Sequence, residues 1–182
     1  MSYNKNYQAT ADTNDRETPW DLYNLLDNEF KFVADMAATK FNTKHHTFFT
    51  EEDDSLSIEW PRGPVFLNPP YGRGLIDKFT AKAREQSDKG STVVMLLAVS
   101  TSSIWWFKSI VMASEMTDVE IRFIKPRVKF LKDGEPILSS KGKPAGAMTP
   151  NVIVVFTHSP DRYHGYKMRV TWWDWEENMY YS

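Results

Sequence analysis

The chain has 182 residues, 41% hydrophobic and 25% charged, close to globular averages, so wholesale disorder is excluded. It contains no cysteine, which excludes a disulfide scaffold, thiolate metal sites and a cysteine nucleophile. The net charge of −2 hides an asymmetry: residues 1–60 carry 5 Lys/Arg against 12 Asp/Glu, and residues 61–182 carry 17 against 12.

Residues 1–16 are polar, rich in Asn, Asp and Thr, and read as a flexible N-terminus ahead of a single domain over 17–182. Thr18-Pro19 opens an apolar pattern at Trp20, Leu22, Tyr23, Leu25 and Leu26, which predicts a helix with Thr18 as N-cap and Pro19 in its first position. The alternation of Phe30, Phe32 and Ala34 predicts a strand ending near Asp35. A polar loop, 39–59, follows and ends in the acidic run Glu51–Asp54. Pro64–Leu67 reads as a short buried strand, Leu75–Ser87 as an amphipathic helix, and the apolar run Thr92–Val99 as a strand covered on both faces. A second amphipathic helix is expected over about 103–114, then strands over about 119–131, 151–157 and 166–175. Strands alternating with helices predict an α/β sheet, and such sheets bind ligands beyond the carboxyl ends of their strands. Asp35 and Asn68 fall at two of those ends. No apolar run approaches the ~18 residues of a membrane span, and the polar start is unlike a secretory leader, so a cytoplasmic protein with no membrane partner is expected.

The sharpest local signal is Asn68-Pro69-Pro70-Tyr71. Two consecutive prolines fix the backbone and supply no N–H, so nearby carbonyls are held outward in a rigid turn. An exocyclic amino group is a poor nucleophile while its lone pair is conjugated into its ring. The Asn68 side-chain oxygen and the Pro69 carbonyl can each accept one amino hydrogen, which lets the nitrogen pyramidalise toward an electrophile. Tyr71 can stack on the ring and fix its plane, a contact contributing about 1–3 kcal/mol per base.

This tetrapeptide resembles the catalytic (Asp/Asn/Ser)-Pro-Pro-(Tyr/Phe/Trp) motif of the phage-type DNA N6-adenine methyltransferases (Dam family). The resemblance extends through Thr18-Pro19-Trp20, residues 30–42, residues 48–56, Trp60, residues 93–100 and residues 121–130. It implies a Rossmann-like S-adenosylmethionine-dependent methyltransferase sheet with helices on both faces. The implied reaction is methyl transfer from S-adenosylmethionine to N6 of an adenine flipped out of double-stranded DNA, with GATC as the family-level recognition sequence. No metal is implied. Catalysis is assigned by resemblance to Asn68, Pro69, Pro70 and Tyr71. Cofactor contacts are assigned to Asp35 and Ala37 after the first strand and to Asp54 at the cofactor's adenine. Thr18, Pro19 and Trp20 are assigned under its methionine end, and Asn42 near its ribose. The resemblance departs in one place: Ala37-Ala38-Thr39 stands where many relatives have a Gly-rich loop, with no glycine between Asp35 and Gly63. A phage origin would place the protein in the bacterial host cytoplasm.

The segment 122–143 holds seven basic residues against Asp133 and Glu135. Its loop, 132–150, is the candidate DNA-contact element, with Arg127, Lys129, Lys132, Lys141 and Lys143 facing phosphates. Arg127 and Lys129 alternate with Val128 and Phe130 and so share one face. Other features read as ordinary structure. His45-His46 lacks a third metal ligand, four consecutive acids read as a solvated loop, Gly72-Arg73-Gly74 reads as the end of a turn, and Trp105-Trp106 reads as core. The run Trp172–Trp175 fits an edge strand, a subunit contact or a DNA contact. Two alternatives stay open: the same transfer to cytosine N4 or a protein glutamine, and a catalytically idle nucleic-acid-binding module.

Overall fold

The computed structural model describes residues 16–72, 74–115, 117–158 and 167–181. In chain order the elements are α1 (Trp20–Phe30), β1 (Ala34–Asp35), β2 (Pro64–Leu67), α2 (Leu75–Asp88), β3 (Thr92–Ala98) and α3 (Ile104–Trp106). The helix α3 runs on as a π turn (Phe107–Val111) and a 3-10 turn (Met112–Glu115). Then come β4 (Asp118–Lys125), β5 (Leu131–Lys132), β6 (Glu135–Pro136), β7 (Asn151–Thr157), β8 (Met168–Asp174) and β9 (Met179–Tyr181).

Seven strands form one mixed sheet in the order β1-β2-β3-β7-β4-β8-β9. The strands β1, β2, β3, β4 and β8 run parallel, with β7 and β9 reversed. β5 and β6 make a separate hairpin. The central strands read as unbroken apolar runs because both faces are covered. Val93, Met95 and Leu97 of β3 pack with α2 and α3 residues such as Phe79, Ala83 and Trp106. Val94 and Leu96 join Leu22, Tyr23 and Leu26 of α1 in a second core on the opposite face. Helices therefore flank both faces, as expected.

The parallel pair β2 and β3 is joined by α2, the crossover that parallel strands require. After β1 the chain instead loops outward and returns to the sheet edge parallel to β1, with Asp35 N–H on the Thr47 carbonyl at 3.0 Å and Phe49 N–H on the Asp35 carbonyl at 2.9 Å. The two connections diverge, and the gap between them is open at the carboxyl ends of β1 and β2. Gly63 permits the approach into β2. Its φ of +118° is closed to most side chains, and a Cβ there would sit 3.2 Å from Val33 Cγ1.

Four expectations need correction. The strand expected from Phe30 shrinks to Ala34–Asp35, because Phe30 completes α1. That helix stops when Lys31 turns left-handed at φ 58°, and the Asp27 carboxylate takes the Phe32 N–H at 2.9 Å. Pro19, not Thr18, is the N-cap. The strand expected over 119–131 ends at Lys125; residues 126–130 continue without a ladder partner, although Val128 and Phe130 are buried and Arg127 and Lys129 exposed as alternation requires. Residues 1–15 of the expected flexible terminus lie outside the described residues, but Arg16 belongs to the folded structure.

Docking of α1 carries the approach of residues 16–18 to the sheet. Leu26 is fully buried at that contact, so Leu26→Ala is expected to cost roughly 2–5 kcal/mol, as deletion of buried leucine methyls does. Urea unfolding should show a lower midpoint with an unchanged m-value.

Candidate active site

The gap between the two diverging connections is a cavity of about 530 Å³, within the range of small-molecule sites. Its walls come from five places, with α2 adding Leu75 and Phe79. Arg16, Glu17 and Thr18 cross ahead of α1, Asp35 ends β1 and Ala37 follows it. The outward loop adds Asn42, Lys44 and Asp54, and Asn68 and Pro70 follow β2.

Asn68 is held by its amide nitrogen. Nδ2 donates to the Arg16 carbonyl at 3.0 Å and to Thr18 Oγ1 at 3.3 Å. A carbonyl can only accept, so these bonds fix which end of the amide is nitrogen. Oδ1 is then left buried with no hydrogen-bond partner among the described residues. An unmatched buried acceptor costs about 1–3 kcal/mol, and here it sits on a cavity-lining side chain behind two prolines. Such an acceptor is prepared for a donor from outside the chain.

Asp35 lies at the back of the cavity, 3% exposed. Its carboxylate accepts the Lys44 N–H at 3.1 Å and, more weakly, the Ala37 N–H at 3.4 Å. Burial pushes its carboxyl up to about 6, against the pull of those amides and of the Lys44 charge. Lys44 is buried too, with its ammonium 3.8 Å from Glu17 Oε2 and 4.6 Å from the centre of the Trp20 indole. Glu17 Oε1 accepts the Gly134 N–H at 3.2 Å, and its backbone pairs with Leu131 through bonds of 2.9 and 3.0 Å.

Of the residues expected at the site, Thr18, Asp35, Ala37, Asn42, Asp54, Asn68 and Pro70 are brought together around this cavity. Asn42 Oδ1 is spent on the Thr39 N–H at 2.7 Å, so it shapes its own loop. Trp20 is half-exposed and reaches the cavity only through Lys44; Pro19 caps α1, and Pro69 is buried. Tyr71 stands outside the cavity lining, its ring partly exposed and its hydroxyl donating to the Leu96 carbonyl at 3.3 Å. Burial of that hydroxyl holds its pKa well above the usual tyrosine value.

The basic segment divides. Arg127 donates to the carbonyls of Ala147 and Met148 at 3.3 and 3.1 Å, and Lys129 pairs with Glu176 at 3.1 Å. These two cations brace the return of the loop and the C-terminal turn, and both remain exposed on one face. Lys132, Lys141 and Lys143 are exposed on the hairpin and the loop beyond it. The tryptophan run also divides: Trp173 and Trp175 are buried, the latter donating to the Pro126 carbonyl at 2.9 Å, and Trp172 is half-exposed against Phe123. Among the described residues no cluster of His, Asp and Glu could hold a metal ion.

Glu17 and Lys44 are the site residues that the sequence did not reveal. They are 27 positions apart and meet only because residue 17 crosses the sheet end and residue 44 returns along its edge. A lysine nine residues after a strand-end aspartate, on a loop, carries no signal by itself.

Among solved structures, a Listeria monocytogenes chain described as a class I S-adenosylmethionine-dependent methyltransferase superposes with a TM-score of 0.53 at 9% identity, covering 88% of this chain and 66% of that one. The fold is the Rossmann-like sheet of that class. The family described as DNA N-6-adenine-methyltransferase (Dam) matches residues 7–170, and the chain belongs to it. A relative from Haemophilus phage HP1, named DNA N-6-adenine-methyltransferase, is 35% identical over 113 residues, 59% of this chain and 64% of the relative. The chain thus spans a little under two thirds of that relative's length. Among the described residues no helix is long and apolar enough to cross a membrane.

The buried Asp35 carboxyl has a consequence for stability. Its folded value of about 6 lies above the ordinary 3.8, so folding is penalised once the unfolded chain ionises and the folded one does not. Its contribution to the ligand-free protein is therefore fullest below pH 3.8 and is lost as pH rises to about 6. Asp35→Asn removes that dependence. Urea unfolding at intervals from pH 4 to pH 7 should show the variant gaining on wild type up to about pH 6 and level thereafter.

Proposed function

We propose that this chain transfers a methyl group from S-adenosylmethionine to N6 of an adenine in double-stranded DNA. The observation that carries the reading is the open Oδ1 of Asn68, a buried acceptor fixed in orientation beside a cavity that also holds a buried carboxylate. Family membership and the phage relative's name support the same activity. The bacterial cytoplasm, where phage and host DNA lie, is its expected place of action.

The donor's chemical features suit the groups present. Asp35 offers a carboxylate to its ammonium group, Ala37 a small side chain for close backbone approach, and Asp54 an acceptor for its adenine amino group. Thr18 borders the end of the cavity assigned to its methionine tail, with Trp20 behind it against Lys44 and Pro19 at the start of α1. When bound, S-adenosylmethionine supplies an activated methyl group on a sulfonium, so neither a metal nor a covalent enzyme adduct is required.

The chain's own work is to prepare the acceptor nitrogen. A base inside a duplex is out of reach, so the adenine must leave the stack at a cost of a few kcal/mol. Asn68 Oδ1 and the Pro69 carbonyl each accept one N6 hydrogen and localise the lone pair. Tyr71, pinned to β3 through its hydroxyl, offers its ring as the stacking face. Positioning and fixed dipoles supply the rate, since the attacking nitrogen needs no deprotonation first. Its proton leaves for solvent once the nitrogen has become cationic. Lys132, Lys141 and Lys143 give the 132–150 loop the charge to hold backbone phosphates.

Incubation with labelled S-adenosylmethionine and unmethylated duplex DNA is expected to yield N6-methyladenine by mass spectrometry of the nucleosides; label found only in cytosine or protein would overturn the substrate assignment. Asn68→Ala is expected to lower turnover about a hundredfold or more, since one preorganised acceptor is worth about 3 kcal/mol, with donor affinity by calorimetry nearly unchanged. Tyr71→Phe should keep most activity and Tyr71→Ala little. Replacing Lys141 and Lys143 together with alanine should weaken binding to all DNA sequences and flatten the plot of log affinity against log salt by up to about two units.

A further inference from the structure

The cavity is lined by buried groups of opposite charge. Asp35 and Lys44 are both buried and both line it, and Asp35 Oδ2 accepts the backbone N–H of Lys44 at 3.1 Å, which holds the two residues next to each other. A buried ammonium normally finds close anionic acceptors, because it has three donors to satisfy and burial disfavours its charge. Among the described residues the Lys44 ammonium has Glu17 Oε2 at 3.8 Å, beyond hydrogen-bond reach, and the face of Trp20. Glu17 is itself shared, because its other oxygen is taken by the Gly134 N–H. Burial pulls the lysine's pKa below the ordinary value, against Glu17 and Asp35. The ammonium is thus under-served by the protein and borders an open cavity.

An α-amino acid presents an ammonium and a carboxylate on one carbon, the mirror of this pair. We propose that Lys44 is the specificity residue for the carboxylate of the donor's amino-acid tail, with Asp35 taking the neighbouring ammonium. This rests on the reading of the cavity as the S-adenosylmethionine site. Glu17 and Trp20 act through Lys44: they hold its ammonium at the cavity wall while leaving its donors open. The pairing rejects ligands that carry the sulfonium and adenosine without a carboxylate.

The test is a binding cycle between protein and ligand. Calorimetry measures wild type and Lys44→Met against S-adenosylmethionine and decarboxylated S-adenosylmethionine, with 5′-methylthioadenosine as a tail-less control. Wild type is expected to bind the decarboxylated ligand on the order of tenfold to a hundredfold more weakly than the parent, the range for a hydrogen bond between charged groups. Lys44→Met is expected to lose that discrimination by weakening S-adenosylmethionine alone, with the control unchanged. A variant that weakens all three ligands by one factor, or a wild type indifferent to the carboxylate, overturns the proposal. Should Lys44→Met fail to fold, Lys44→Gln repeats the cycle with the charge removed and the polarity kept. A wild type that binds 5′-methylthioadenosine but neither tailed ligand overturns the assignment of the tail. One that binds none of the three overturns the reading of the cavity, and the Lys44 assignment with it.

Discussion

The crossing of residues 16–18 over the carboxyl ends of β1 and β2 is the constraint on which the site depends. Through the Arg16 carbonyl and Thr18 Oγ1 it takes both amide hydrogens of Asn68 and so decides which end of that side chain remains open. Without it the amide could rotate, and neither its acceptor nor its donor end would be fixed in place. The crossing is itself held from two directions. α1 buries Leu22, Tyr23 and Leu26 against the sheet, and Glu17 is paired by its backbone to Leu131 at the start of the basic hairpin. The segment that orients the acceptor is thereby tied to the segment carrying the positive charge.

The same crossing supplies the electrostatics. Glu17, Lys44 and Asp35 form a buried chain of alternating charge, and burying charges is costly unless each has a partner. Here the pairing is incomplete: Asp35 is raised by burial, Lys44 is lowered, and the Asn68 oxygen is unmatched. Three strained polar groups around one cavity are difficult to account for as packing. They mark this cavity as the candidate binding site.

The sheet provides the rigid floor for these groups. β7 enters antiparallel between β3 and β4 and completes a core in which both faces of the central strands are apolar. On β4, Arg122 is enclosed by Glu29 and Glu120, its guanidinium also lying over Phe30. Burial opposes its charge, but the two carboxylates more than offset this and hold its pKa above the ordinary value. This network fastens the far end of α1 to β4, away from the site.

The sequence by itself determined the buried strands Pro64–Leu67, Thr92–Ala98 and Asn151–Thr157, the helix over Leu75–Asp88, and the position of Asn68 at a strand end. Those features are local: side-chain period, apolar runs and paired prolines act within a few residues. It misjudged β1, because Phe30 and Phe32 alternate as a strand would while Phe30 is drawn into α1. Nor did composition show that the Ala147 and Met148 carbonyls and the Glu176 carboxylate lie beside Arg127 and Lys129. Only the tertiary structure decided which end of Asn68 is open, that Thr18 serves Asn68 instead of capping a helix, and that Glu17 and Lys44 belong to the site. Each of those depends on segments 27 to 52 positions apart meeting at one end of the sheet, and no local preference encodes where a long loop returns.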